Sequence, residues 1–179
     1  MTTAHTPPAA PPAYRKNSHC SFCGHAYAAD QSWPRRCANC NNITFQNPLP
    51  VTIVLVPVDE GLLVVRRNIE PHKGKLALPG GYIDLGESWQ EAGAREVLEE
   101  TGITIDPTGI QLVTVFSAPD GTIIIVGQAA PLHSADLPAF ALNDEATERA
   151  FISEPTELAW PLHTQAVTAF FALQGKAAS

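Results

Sequence analysis

Between residues 80 and 103 the sequence is GGYIDLGESWQEAGAREVLEETGI, with five glutamates and a single arginine. Only 16 % of the chain is charged, so carboxylates are gathered here rather than spread. Like charges this close raise the energy of a fold unless a cation neutralises them. Ser88 and Glu91 have the S-x-x-E spacing of a capping box, so a helix is expected to start at Ser88 and run over 88–101. Gly102 suits the left-handed residue that ends a helix. At about 100° per residue, Glu96, Glu99 and Glu100 fall within one arc of roughly 100°. Ala94, Val97 and Leu98 lie on a different arc and are expected to pack on a sheet. Three convergent hard oxygen donors suit Mg²⁺ or Mn²⁺. Arg95 can hold one carboxylate bidentately, and Gly80 and Gly81 allow backbone to approach closely. The alternative, a solvated acidic face, normally alternates its charges.

Around this helix the chain alternates element types. VTIVLVPV (51–58) has the continuous apolar run of a buried strand, DEG (59–61) turns, and LLVVRR (62–67) returns as a hairpin partner. ITI (103–105), IQLVTVF (110–116) and TIIIVGQA (122–129) are further expected strands. A second helix is expected through 163–174, with Pro161 just before it. Mixed strands with two helices predict an α/β domain with helices on the sheet faces.

The four cysteines all precede residue 41, as Cys20, Cys23, Cys37 and Cys40, spaced C-x2-C-x13-C-x2-C. Two thiolate pairs on tight turns can fill the tetrahedral shell of one structural zinc; two disulfides are the competing reading. His19 and His25 flank the first pair but are not needed as ligands. This gives three segments: a Pro/Ala-rich disordered leader (1–16), a zinc ribbon (17–47) and an α/β domain (48–179). The leader lacks the apolar stretch of a secretory signal, and no apolar run reaches the ~20 residues that span a bilayer, so a cytoplasmic protein is expected. The net charge is −7. From residue 51 onward there are 7 basic and 17 acidic side chains, which makes that part a poor general nucleic-acid binder.

Gly81, Glu87 and the run Arg95-Glu96-Val97-Leu98-Glu99-Glu100-Thr101-Gly102-Ile103 match every fixed position of the pattern G-x5-E-x7-R-E-U-x-E-E-x-G-U, where U is aliphatic. Residues 50–175 therefore resemble the Nudix hydrolase superfamily. The resemblance implies a Nudix α/β/α sandwich with a mixed sheet, here preceded by a small zinc ribbon. It also implies divalent-metal-dependent hydrolysis of a nucleoside diphosphate linked to another moiety. Ribbon plus Nudix domain is similar to the NADH pyrophosphatase group and its shorter relatives acting on ADP-ribose or FAD. The S-Q-P-W-P-F-P-x-S motif of the NADH enzymes is missing after the box, so ADP-ribose, FAD and NAD(H)-like dinucleotides all stay open.

Carried onto this sequence, the resemblance implies that Glu96, Glu99 and Glu100 hold Mg²⁺ or Mn²⁺, with the Gly81 carbonyl beside them, and that Glu87 and Arg95 support the site. It also implies a further metal-binding or basic glutamate downstream. NDEATERAFI (143–152), read as an acidic loop, offers Glu145 first and Glu148 second. Catalytic roles fall on Glu96, Glu99 and Glu145. Arg66, Arg67 and Tyr82 are candidate substrate contacts, as are His72 and Lys73; Phe116 is expected in the core and His163 in a local contact. The expected partner is a small nucleotide substrate, without membrane or general nucleic-acid binding; a homodimer is left open. Two rival functions are a Nudix-fold ligand sensor and removal of a nucleotide cap from RNA through ribbon contacts.

Overall fold

The computed structural model describes residues 16–177, so the expected leader falls almost wholly outside it. The chain divides into two compact units, with the boundary between Asn47 and Pro48.

The first unit is built on two matching turns. Cys20 N–H donates to the His25 carbonyl and Gly24 N–H to the Cys20 carbonyl; Cys37 N–H donates to the Asn42 carbonyl and Asn41 N–H to the Cys37 carbonyl. The fourth residue after the first cysteine is left-handed in each turn, Gly24 at φ 73° and Asn41 at φ 60°, as glycine and asparagine permit. Strands β1 (Arg35–Arg36) and β2 (Ile43–Thr44) pair antiparallel beyond the second turn. Arg35 lies 4.6 Å from the Trp33 ring centre and 5.5 Å from that of Tyr27, a cation–π stack that supplements a small apolar interior.

The second unit contains β3 (Leu49–Leu55), β4 (Pro57–Val58), β5 (Gly61–Arg67), β6 (Leu76–Ala77), β7 (Gly80–Tyr82), α1 (Trp89–Thr101), β8 (Gln111–Ser117), β9 (Thr122–Gln128), β10 (Ala146–Ile152) and α2 (Pro161–Ala177). One sheet has the order β7-β3-β9-β8 and is mixed, since β3 and β9 run parallel. The other is antiparallel, with β5 between β10 on one side and β4 and β6 on the other.

Alternation along the strands explains the layers. Ile53 and Leu55 of β3, with Leu62 and Val64 of β5, join one core with Val167 and Phe170 of α2. Val54, Val56 and Leu63 point the other way, into a core with Val97 of α1. Both faces of these strands are covered, which is why VTIVLVPV lacks polar alternation. The result is an α/β/α sandwich with a mixed sheet. Phe116 packs against the first core.

Several expectations are corrected. The run 51–58 is not one strand: it breaks at Val56, where the chain passes from one sheet to the other, and the hairpin with β5 is confined to β4. Residues 103–105 pair with no strand; Ile103 and Ile105 are buried as a coil leaving the helix at Gly102. Residues 143–152 are a loop only as far as Glu145, because Ala146–Ile152 form β10. On α1 the buried residues are Ala92, Gly93, Glu96, Val97, Glu100 and Thr101, whereas Leu98 is 46 % exposed. Two glutamates therefore share the buried face with Val97, and Leu98 does not pack on the sheet. α2 begins at Pro161 itself, a first-turn position that needs no donor.

Candidate active site

The carboxylates owe their position to α1. Ser88 caps the helix in a complete capping box with Glu91, and Gly102 closes it at φ 74°. The register is thereby fixed over 13 residues, and Glu96 and Glu100, one turn apart, face inward. Glu96 approaches β7 so closely that a Cβ on Gly81 would sit 2.4 Å from Glu96 Oε1. A side chain at position 81 would push the Glu96 carboxylate out of its place, so glycine there leaves room for that carboxylate.

Glu96, Glu100 and Glu145 each bring a carboxylate oxygen within 4.8 Å of the others. Glu145 comes from the turn before β10, so the group joins residues 45 or more positions apart. Glu96 and Glu100 are buried. Burial pushes the Glu100 carboxyl up to about 8, helped by Glu96 and Glu145 and opposed by the Gly80 N–H that donates to its Oε2 at 3.2 Å. Burial likewise raises Glu96, against the pull of Arg95. Arg95 offsets Glu96 from one side, but two buried carboxylates beside a third still present the donor set of a hard divalent ion.

Glu99 lies outside that group. Its side chain is half exposed, and its Oε2 accepts from Arg95 at 3.0 Å. Arg95 also grips both oxygens of Glu87 at 2.8 and 3.1 Å, Glu96 Oε1 at 2.8 Å and the Tyr82 carbonyl at 3.0 Å. Glu87 in turn accepts from the Asp84 N–H at 3.0 Å. Arg95 and Glu87 thus tie the loop after β7 to α1, and Arg95 holds Glu87 below the usual carboxylate range.

The two adjacent arginines of β5 diverge, as neighbours on a strand must. Arg66 bonds Glu148 at 2.6 Å and the Gly74 carbonyl at 3.0 Å, so Glu148 is engaged on the sheet surface. Arg67 donates from Nε to the Pro71 carbonyl at 2.9 Å and stacks 4.4 Å from the Trp160 ring centre. Its charge reaches Glu100. Trp160 is also flanked by His163 at 4.8 Å and by His72, edge-on, at 5.5 Å. His163 is not in a merely local contact: its Nδ1 accepts from the Leu78 N–H at 3.3 Å, and burial lowers it to about 3. Tyr82 is 59 % exposed on the edge strand β7. Trp160, His163 and Asn143 were not singled out as site supports from the sequence; the i,i+3 spacing of Trp160 and His163 at the start of a helix was the available signal.

In the first unit all four cysteine sulfurs lie within 4.8 Å of one another. The Cys20–Cys40 and Cys23–Cys37 separations of 3.7 and 3.6 Å rule out disulfides in this arrangement. Burial raises the Cys20 thiol, but backbone N–H groups of Phe22 and Cys23 outweigh it and bring it down to about 6. Four converging sulfurs on N–H-rich turns fit a tetrahedral zinc shell.

Comparison with known proteins gives the family. A NUDIX domain model matches residues 47–167. The NAD-capped RNA hydrolase NudC of Klebsiella pneumoniae is 30 % identical over 125 residues, covering 63 % of this chain and 48 % of that protein. NudC of Shigella flexneri is 31 % identical over 93 residues, covering 51 % and 36 %. The chain thus spans half or less of the length of these relatives. A crystal structure of a NUDIX hydrolase from Nitrosomonas europaea superposes with a TM-score of 0.72 at 25 % identity, covering 87 % of this chain and 90 % of that one. A bifunctional NMN adenylyltransferase/ADP ribose pyrophosphatase from Francisella tularensis, complexed with AMP and a manganese ion, gives 0.53 at 27 % identity, covering 69 % and 37 %. Among the described residues, no helix is long and apolar enough to cross a membrane. The domain match takes in the glycine loop, the carboxylate helix and the strand after Glu145, and by it the chain belongs to the Nudix hydrolase family.

Proposed function

We propose that this protein hydrolyses the diphosphate bond of a nucleoside diphosphate linked to another moiety, releasing AMP and a second phosphorylated half. The observation that carries this reading is the convergence of Glu96, Glu100 and Glu145 within 4.8 Å, two of them buried. These three would hold Mg²⁺ or Mn²⁺, with the Gly81 carbonyl as a further donor. Such an ion neutralises phosphate charge and acidifies a bound water.

The chain's own groups divide the remaining work. Water adds to one phosphorus, the bridging P–O bond breaks, and the water's proton passes to a carboxylate. Glu99 and Glu145, the exposed carboxylates beside the buried pair, are the groups placed to take it. Among the described residues, Arg67 hydrogen-bonds only through Nε, to the Pro71 carbonyl, and its terminal nitrogens can meet a phosphate; Arg66 is committed to Glu148. Tyr82, exposed on β7, is the proposed contact to the nucleoside. Glu87 and Arg95 hold loop and helix together. The ribbon, residues 17–47, would bind one structural zinc through Cys20, Cys23, Cys37 and Cys40, ahead of a Nudix domain over 48–179.

ADP-ribose, FAD and NAD(H)-like dinucleotides are the proposed substrates. A second reading, removal of a dinucleotide cap from RNA, is favoured by the similarity to NudC proteins, which are NAD-capped RNA hydrolases. A sensor role is disfavoured because the acidic set is complete. The test is a panel of ADP-ribose, FAD, NADH, nucleoside triphosphates and an NAD-capped oligoribonucleotide, with Mg²⁺ or Mn²⁺ and product analysis. AMP from a dinucleotide, or a 5′-monophosphate end on the RNA, supports the reading. A preference for triphosphates by kcat/KM, or no turnover of any substrate, overturns it.

A further inference from the structure

Glu145 is the exposed member of the carboxylate group, and it precedes a strand at a sheet edge, where backbone is least constrained. Its carboxylate is also repelled by Glu96 and Glu100. What holds it is Asn143. The Asn143 Oδ1 accepts from the N–H groups of Glu145 at 3.0 Å and Ala146 at 2.7 Å. Its Nδ2 donates to the carbonyls of Glu99 at 3.0 Å and Glu100 at 3.4 Å. Both carbonyls belong to the last turn of α1, where backbone acceptors have no partner within the helix.

One planar amide thus uses both ends. The donor end sits on the Glu99 and Glu100 carbonyls of the helix turn that carries one buried carboxylate, and the acceptor end sits on the turn that carries the exposed one. Asn68 supports the same turn, through its N–H to the Glu145 carbonyl at 2.8 Å and its Nδ2 to the Asn143 carbonyl at 3.0 Å. Aspartate could not donate to α1, and a shorter side chain could not span the gap.

We propose that Asn143 is a positioning residue that fixes the separation of Glu100 and Glu145 and so sets the divalent-ion affinity of the site. This rests on reading the three carboxylates as a metal site. Without the amide, repulsion turns Glu145 toward solvent and the ion loses a ligand. Removing partners that orient metal ligands typically costs about 10–100-fold in affinity.

The test is Mn²⁺ titration of the full, zinc-loaded chain, read by the electron-spin resonance of free Mn²⁺, for Asn143→Ala, Glu145→Gln and the double variant. Each single change is expected to weaken Mn²⁺ by about tenfold or more. The double variant is expected to bind no worse than Glu145→Gln, because the amide acts through that carboxylate. Asn143→Ala within twofold of the parent, beside a weakened Glu145→Gln, overturns the proposal. So do additive losses, which would mean that Asn143 acts elsewhere. Glu145→Gln without effect overturns the metal-site reading, and the clamp falls with it. If Asn143→Ala does not fold, Asn143→Ser keeps a short acceptor for the turn but loses the reach to α1, and is judged on the same outcomes.

Discussion

Replacing Glu100 with glutamine is expected to stabilise the metal-free protein while abolishing its activity. In the fold the Glu100 carboxyl lies at about 8, against an ordinary 4.5. Between those pH values the folded chain keeps a proton that the unfolded chain has released. Stability therefore falls as pH rises, by about 1.4 kcal/mol per pH unit for one proton. Near pH 4 both states are protonated and the cost vanishes; at pH 7 it is of order 3 kcal/mol. Glutamine has no proton to take up, nearly the same shape, and a side-chain oxygen that can still accept the Gly80 N–H. The expected gain is thus roughly 3 kcal/mol at pH 7 and none at pH 4. For a chain of this size, 1 kcal/mol moves Tm by about 2–4 °C. The assay is thermal unfolding at both pH values, without added Mg²⁺ or Mn²⁺ and without a chelator that would strip the ribbon. Added Mn²⁺ should raise the Tm of the parent, by mass action on the folded state, and leave the variant nearly unmoved. Equal or lower Tm for the variant at pH 7, or the same gain at pH 4, would refute the buried-acid argument.

Three further outcomes are expected. Glu99→Gln should bind Mn²⁺ about as the parent does, because Glu99 lies outside the three-carboxylate group, yet lose roughly 10²-fold or more in kcat if it takes the proton; unchanged kcat would assign that role to Glu145. Arg67→Ala should raise KM by roughly tenfold or more, the worth of a charged hydrogen bond, whereas Arg66→Ala should leave kinetics near the parent's; equal effects would remove the distinction drawn from Glu148. Metal analysis should find about one zinc per chain, the capacity of a four-thiolate site, and Cys37→Ser should lower it and unfold the ribbon.

Local chemistry was legible in the sequence and long-range pairing was not. Ser88, Glu91 and Gly102 act on neighbours within a turn, so the helix ends followed from spacing alone. The periodicity also placed Glu96, Glu99 and Glu100 on one arc. It could not say which part of the arc faces inward, because that depends on β3 and β7. Gly93 marks the closest approach: a Cβ there would meet Val54 Cγ2 at 2.8 Å. The sheet lies on that side, so Glu100 is buried, while Glu99 and Leu98 turn outward. Strand β10 escaped notice because it carries adjacent charges, Glu148 paired with Arg66 and Arg149 bonded to the Thr101 and Pro138 carbonyls, which look like loop polarity. Residues 103–105 misled in the opposite sense. Their alternating burial is genuine, but no strand edge remains beside them to complete a ladder. Glu145 could be singled out only through the family resemblance, and the amide that holds it to α1 joins positions 43 residues apart.

Arg95 has five N–H donors, and Glu87, Glu96, Glu99 and the Tyr82 carbonyl engage them all. The one guanidinium at the heart of the acidic helix is saturated by the protein and has nothing left to offer an anion. On the proposed reading, a bare diphosphate gains nothing from Arg95 and is repelled by these glutamates, so nucleotide and divalent ion would enter as interdependent ligands, each raising the affinity of the other. Substrate recognition at such a centre would then be governed by the supply of free divalent ions as much as by the nucleotide itself. Arginine at position 95 belongs to the scaffold, although by charge alone it would pass for a phosphate receptor.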